Sequence, residues 1–327
     1  MKKIDLHIHT NKSDGLLSPK EIIDVAKRNH VQTIAIADHD TVDAYTDELY
    51  NYAKDNDIEL ISAVEISTKT KKCGIHVLGY NIDTSSEYLI ESLKKIRNAR
   101  HDYLHSVATK LNEMNYMLNV DKLDVISAVT KAHIAMDIIS NKKNEKQLMK
   151  QFGHIPNKGE FIESIMNENC PAYVKKKTVT PKEASEIIRK AGGKVVLAHP
   201  VAYVHEDNLT INDILEIIND LRADGLEAYY IYTDRNNNIV NEIDKWNKFA
   251  KDNDLFVTIG SDFHMKDGNH AEIGLENVGV VLEDGIVNEI LEKIKWPDIA
   301  LVIFILWWFY LSLWDFALII ILLIYMM

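Results

Sequence analysis

Short β-rich runs alternate with amphipathic helical stretches along most of this chain, and that alternation leaves few folds open. Residues 3–8 read as a strand. Ser18, Pro19 and Glu21 then open a helix that runs to about Asn29. Ser18 caps it, proline suits the first helical position, and Glu21 completes a capping box. Residues 33–37 read as a buried strand, 41–56 as a helix, and 59–64 and 74–80 as strands. Later, helices over 181–191, 211–222 and 241–253 precede strands over 194–198, 226–230 and 256–260, and a helix over 285–294 closes the body. The expectation is an α/β fold, a parallel sheet or barrel covered by helices.

The rhythm breaks between residues 85 and 171. Leu89, Leu93, Ile96, Leu104, Val107, Leu111 and Met114 recur at helical spacing, and further helices are expected over 122–128 and 133–139. This is an inserted helical unit. The chain accordingly divides into a first α/β part (1–84), a helical insertion (85–171), a second α/β part (172–296) and an apolar tail (299–327).

Charge excludes one function class. The formal net charge is -12, so no global basic field exists to hold long duplex nucleic acid. Phosphates can still bind where metal ions reverse the sign locally. Two isolated cysteines, Cys73 and Cys170, fit a reducing compartment, and Lys2, Lys3 and Asp5 leave no apolar run for a secretory signal. The tail differs in character. From Ile299 onward Asp315 is the only charged residue, long enough for a spanning helix. Lys293 and Lys295 before it place the body on the cytoplasmic side, tethered through 299–327. A helix packed on the body and a translated frameshift are the alternatives.

Imidazoles and carboxylates fall at the strand ends. His7 and His9 are two apart and share a face. Asp38, His39 and Asp40 follow the second strand, Glu65 the third, and His76 lies within the fourth. His199 follows 194–198, Glu227 sits on 226–230, and Asp262 and His264 follow 256–260. Each piece alone has an ordinary explanation, such as a helix cap or a paired buried acid. Convergence of strand ends on one mouth makes the combination a metal site, with donors that suit Zn, Mn or Fe.

Asp5-x-His7-x-His9, Ser13-Asp14-Gly15, Asp38-His39-Asp40, Val64-Glu65, His76-Val77-Leu78-Gly79, Ala198-His199-Pro200 and Gly260-Ser261-Asp262-Phe263-His264 together resemble the PHP (polymerase and histidinol phosphatase) superfamily. The similarity spans approximately residues 1–296 and is strongest to the branch of nucleotide phosphatases and 5′-3′ exoribonucleases. That branch carries a helical insertion before an Arg-x-His-[Ile/Phe]-Ala motif, which here reads Lys131-Ala132-His133-Ile134-Ala135. The resemblance implies a distorted (β/α)7 barrel with two or three divalent ions. One would take His7, His9, Glu65 and Asp262; a second would share Glu65 and add His76 and His199; a third would take Asp14, His39 and His264. Asp14 matches the nucleotide-phosphatase branch, where other branches carry His.

The expected chemistry is attack on a phosphate ester by hydroxide bridging two ions, with charge on the phosphoryl oxygens offset by the metals. Asp40 is the candidate for handling the proton, with support of His39 as its alternative role. Arg97 and Arg100, three apart on one helix, are candidates to reach a second phosphate, as is His133 by resemblance. Lys131 keeps the charge of the family's arginine without its two-pronged contact. The run Lys175-Lys176-Lys177 reads as a solvated edge able to border the pocket. The expected substrate is a small nucleotide, such as a nucleoside 3′,5′-bisphosphate, or short 5′-phosphorylated RNA. The competing readings are a histidinol-phosphate-type phosphatase and a membrane-tethered module that binds a phosphorylated ligand without turnover.

Overall fold

The computed structural model describes residues 2–124, 129–234, 237–266 and 270–295. Strand β1 (Lys3–Ile8) leads through α1 (Pro19–Arg28) to β2 (Val31–Ile36), and α2 (Asp47–Asp55) leads to β3 (Glu59–Lys69), which turns into β4 (Gly74–Tyr80). The insertion contributes α3 (Glu87–Glu113), α4 (Val120–Asp124), α5 (Lys131–Ser140), α6 (Glu145–Phe152) and α7 (Lys158–Phe161). Helix α8 (Pro181–Lys190) then feeds β5 (Lys194–Leu197), and α9 (Pro200–Glu206) and α10 (Ile211–Leu221) feed β6 (Gly225–Tyr229). A hairpin of β7 (Tyr232–Thr233) and β8 (Ile239–Val240), then α11 (Ile243–Asp252), precede β9 (Phe256–Ile259), and α12 (Asp284–Lys295) follows.

One sheet of seven strands runs in the order β1-β2-β3-β4-β5-β6-β9. It is mixed rather than parallel, which corrects the expectation. β4 is antiparallel to both β3 and β5, whereas the other neighbours run parallel. The reason is the link: only residues 70–73 separate β3 from β4, enough for a hairpin and far too few for a parallel crossover. Past the strand ends, β1 and β9 meet. The His9 N–H donates to the Phe263 carbonyl (2.9 Å) and the Asp262 N–H to the His7 carbonyl (2.8 Å).

Alternation decides which side chains face which core. Ala35 and Ala37, Ile61 and Ala63, Leu78 and Tyr80, and Val196 and Ala198 join one inner cluster, plugged by Val287, Ile290, Leu291 and Ile294 of α12. Two steps further along the same rows stand Glu65 and His76, so polar side chains take over where the apolar rows end. On the outer face α8, α10 and α11 cover β3–β6, and α1 and α2 cover β1 and β2. The insertion has a cluster of its own, from Tyr103 and Leu104 to Phe161 and Ala172.

The capping box at Ser18 and Glu21 forms as read. The second helix is shorter than expected, starting at Asp47 behind a Thr46 cap. Tyr45 accounts for this. Its hydroxyl meets the Ile36 and Ile61 carbonyls (2.7 and 2.8 Å) and the Ala63 N–H (2.8 Å), so residues 41–46 wedge between β2 and β3. Membrane tethering is corrected too. Among the described residues no helix is long and apolar enough to cross a membrane. Helix α3 has the length but carries Glu91, Lys94, Lys95 and Arg97 among its apolar residues. The expected tail helix over 299–327 lies outside the described residues, as do 125–128 of the helix expected over 122–128.

Candidate metal centre

The parallel strands deliver their carboxyl ends to one side of the sheet, and reversed β4 delivers its beginning there. That is why His76, third in β4, stands beside Glu65, seventh in β3. Three strand-end residues, Asp40, His199 and Asp262, have φ of 51, 25 and 54°. Left-handed backbone at non-glycine residues costs on the order of 1–3 kcal/mol each and persists where surrounding structure enforces it. Gly260 and Gly15 permit close approach. A Cβ on Gly260 would overlap His7 and Glu227, and one on Gly15 would overlap the His9 backbone.

Three donor groups result. In the first, His7 Nε2 lies 3.2 Å from His9 Nε2, and each lies 3.1–3.4 Å from Glu65 Oε2 and Asp262 Oδ1. In the second, Asp14 Oδ1 is 3.3 Å from His264 Nε2 and 3.6 Å from His9 Nδ1, with its other oxygen 3.7 Å from His39 Nε2. The third surrounds Glu65: His39 Nδ1 at 3.0 Å from Oε2, and His76 Nδ1 and His199 Nε2 at 3.1 and 3.3 Å from Oε1. His9, His39 and Glu65 each belong to two groups.

These donor sets fit divalent ions. Bonds of about 2.0–2.2 Å in a tetrahedral site put neighbouring donor atoms about 3.3–3.6 Å apart, close to the five separations in the first group. Moreover, His9 Nδ1 and His199 Nδ1 are buried without a hydrogen-bond partner, and His39 Nδ1 and Glu65 Oε2, 3.0 Å apart, are not aligned for one. Buried polar atoms are rarely left so, and cations would satisfy those that face a donor group. The electrostatics agree. Burial disfavours the charged forms of Glu65 and Asp262, yet the surrounding imidazoles hold both carboxyls well below their usual range. Burial likewise opposes the His7 and His9 imidazolium ions. Around His7 the carboxylates Glu227, Glu65 and Asp262 outweigh it, and around His9, Asp262 and Glu65 raise the pKa to about 10. His39 goes the other way, to about 3, because burial dominates there.

Supporting carboxylates fix these donors. Glu227 Oε1 lies 3.0 Å from His7 Nδ1 and Oε2 accepts the His199 N–H (2.8 Å), which aims His7 Nε2 into the cluster. Glu227, one of the strand-end carboxylates, thus has a histidine as its side-chain partner. Asp5 accepts the N–H groups of Ser261 and Gly274 at 3.0 and 2.8 Å, and burial raises its pKa to about 6. Asp38 accepts from the Thr10 N–H and hydroxyl, both at 2.7 Å.

The remaining candidates divide. Asp40 is fully buried, accepts the Ser67 N–H (3.0 Å) and forms an ion pair with Arg100. Arg97 Nη1 donates to the Asp40 carbonyl (2.5 Å). Next to His76 opens a cavity of about 670 Å³ whose walls include Lys69, Arg100, Lys131, Lys175, Lys176 and Lys177. Arg97 and His133 are not among its lining residues. His133 is exposed and caps α5, its Nδ1 accepting the Thr130 N–H (3.2 Å). Lys131 Nζ donates to Asn167 Oδ1 (2.8 Å). The Lys175-Lys176-Lys177 run does border the cavity, whereas Lys69 was missed; docking of residues 173–179 along β3, where the Lys69 N–H donates to the Val179 carbonyl (3.0 Å), brings them together. Burial, with Arg100 and Lys69 nearby, lowers the Lys176 pKa to about 8.

Comparison with known proteins places this geometry. Residues 5–167 match the PHP domain. A 5′-3′ exoribonuclease of Haemophilus influenzae is 32% identical over 272 residues, covering 82% of this chain and 92% of that protein. A 3′,5′-nucleoside bisphosphate phosphatase of Chromobacterium violaceum is 25% identical over 84% of this chain and 91% of its own length. In fold, a crystal structure from Bifidobacterium adolescentis, assigned as a metal-dependent phosphoesterase, superposes with a TM-score of 0.63 at 22% identity, over 91% of this chain and 98% of that one. With its clustered histidine and carboxylate donors, the chain belongs to the PHP superfamily and is a metal-dependent phosphoesterase.

Proposed function

We propose that the chain hydrolyses phosphate esters of nucleotides, such as nucleoside 3′,5′-bisphosphates, or of short 5′-phosphorylated oligonucleotides. The observation that carries this reading is the cationic cavity beside His76, since a second phosphate needs positive charge next to the centre that cleaves the first. The names of the Haemophilus and Chromobacterium relatives favour the same substrate class. On this reading His7, His9, Glu65 and Asp262 hold one ion, His9, Asp14, His39 and His264 another, and Glu65, His76 and His199 a further one, with His39 at its edge. Bound ions of this kind acidify water and offset charge on phosphoryl oxygens. Glu227 keeps His7 aimed, while Arg100, Lys131 and Lys176 receive the second phosphate. Asp40 holds Arg100 at the cavity wall, Arg97 ties down the Asp40 backbone, and His133 shapes the start of α5. The sheet serves as a distorted (β/α)7 barrel, closed by the hydrogen bonds of His9 and Asp262.

The test uses the purified full-length chain loaded with manganese. Substrates are nucleoside 3′,5′-bisphosphates, short RNA bearing 5′-phosphate or 5′-hydroxyl, and histidinol phosphate. Turnover of bisphosphates or 5′-phosphorylated RNA above the other two is expected. Equal inactivity with metal bound, or preference for histidinol phosphate, defeats the reading.

A further inference from the structure

The outer face of the insertion carries a second donor cluster, apart from the phosphoesterase centre. His101 and His105 are one helical turn apart on α3, so their rings lie side by side, with centroids 4.2 Å apart. Arg100, Tyr103 and Leu104 take the buried face of the same turns, which turns both imidazoles outward. Asp124, at the end of α4, faces the pair. Its Oδ1 lies 2.7 Å from His101 Nδ1 and its Oδ2 lies 3.8 Å from His105 Nε2. A hydrogen bond explains the first contact. It does not explain the second, which is too long for one. Three donor atoms within 4.8 Å of one another suit a shared ion.

We infer that His101, His105 and Asp124 form a surface site for a divalent transition-metal ion such as Zn, Ni or Cu. Two imidazoles exclude Mg and Ca as preferred occupants, and a single carboxylate leaves a coordination position for water. The side chains are 53, 49 and 32% exposed, so the ion enters from solvent without rearrangement. Occupancy staples α4 to α3. Leu123, beside Asp124, is buried in the insertion core, so the staple ties the outer face of α3 to that core.

The experiment compares the full-length chain with a His101→Ala/His105→Ala variant, each saturated with Zn, desalted, and counted for zinc by elemental analysis. In parallel, diethyl pyrocarbonate labels accessible imidazoles with and without Zn, and the peptide containing His101 and His105 is mapped by mass spectrometry. One zinc fewer per chain in the variant and several-fold protection of that peptide in the native chain are expected. Equal zinc counts in a folded variant overturn the site, as does absence of protection. Should the double variant misfold, protection in the native chain alone decides. Neither readout depends on turnover, so failure here leaves the proposed substrate class untouched.

Discussion

The Asp40–Arg100 pair offers the sharpest quantitative test of how the insertion is held to the body. Asp40 is 0% exposed and Arg100 8%. Replacing Arg100 with Met preserves most of the stem packing but leaves the carboxylate with the Ser67 N–H, at 3.0 Å, and no paired charge from Arg100. Breaking a buried ion pair by removing one partner costs about 3–5 kcal/mol. The retained N–H puts Arg100→Met near the low end, about 3 kcal/mol. Asp40→Asn costs less, about 2 kcal/mol, because the guanidinium borders a cavity that admits water. Removing both charges together leaves no unpaired ion, so the double variant loses only about 1–2 kcal/mol. The cycle therefore predicts a coupling of about 3–4 kcal/mol.

Urea and thermal melts of the metal-saturated full chain, followed by circular dichroism, measure each corner. At about 1.5 °C per kcal/mol, the scaling for a chain of 327 residues, Arg100→Met melts about 4–5 °C lower. Burial lowers the Arg100 pKa to about 10, so the residue stays charged and the loss is flat between pH 6 and 8. Losses that add within about 0.5 kcal/mol would show that the guanidinium does not pair with Asp40, and the argument for how α3 is anchored would fall with it.

Three further outcomes follow from named contacts. Lys176 has its pKa lowered to about 8, so its charge fades as pH rises through 8. KM for a bisphosphate should climb several-fold between pH 7.5 and 9 in the native chain and stay level in Lys176→Arg; parallel profiles would remove Lys176 from phosphate binding. Glu227→Gln removes the carboxylate behind His7 Nδ1 and should weaken metal binding about 10–100-fold in chelator competition, whereas unchanged affinity would deny it a positioning role. Gly260→Ala forces a Cβ into His7 and Glu227. It should cost about 1–3 kcal/mol and lower bound metal, and a variant with full stability and metal content would contradict the close approach of β9 to β1.

Much of the donor set was readable because its signal is local. A strand ending in His or Asp announces itself by alternation followed by a polar break, and Asp5-x-His7-x-His9 needs no partner to be noticed. Arg100 was also within reach. It falls on the stripe of Leu93, Ile96 and Leu104, where a charged residue needs a buried partner. Glu227 was harder, since nothing in the run from Gly225 to Tyr229 says whether its partner is cationic or an imidazole. The Tyr45 wedge was hidden altogether. Residues 41–56 carry helical composition, and only the packed strands supply the carbonyls that the Tyr45 hydroxyl bridges.

Reversal of β4 links the fold to the site most directly. The strands expected over 59–64 and 74–80 leave only residues 65–73 between them, and the longer β3 leaves only 70–73; both are too few for a crossover, so the antiparallel pairing was implicit in the spacing. Its consequence is chemical. A parallel fourth strand would have sent His76 toward the middle of the sheet and Tyr80 to the mouth. The hairpin instead puts His76 against Glu65, and Ser67, Thr68 and Lys69, paired with the start of β4, protrude past Glu65. That protruding edge pairs with residue 179, carries the Ser67 N–H that meets Asp40, and forms one wall of the cationic cavity. The same turn thus sets a donor of the metal centre and the platform on which the insertion closes, so a change in its length should disturb metal content and phosphate affinity together.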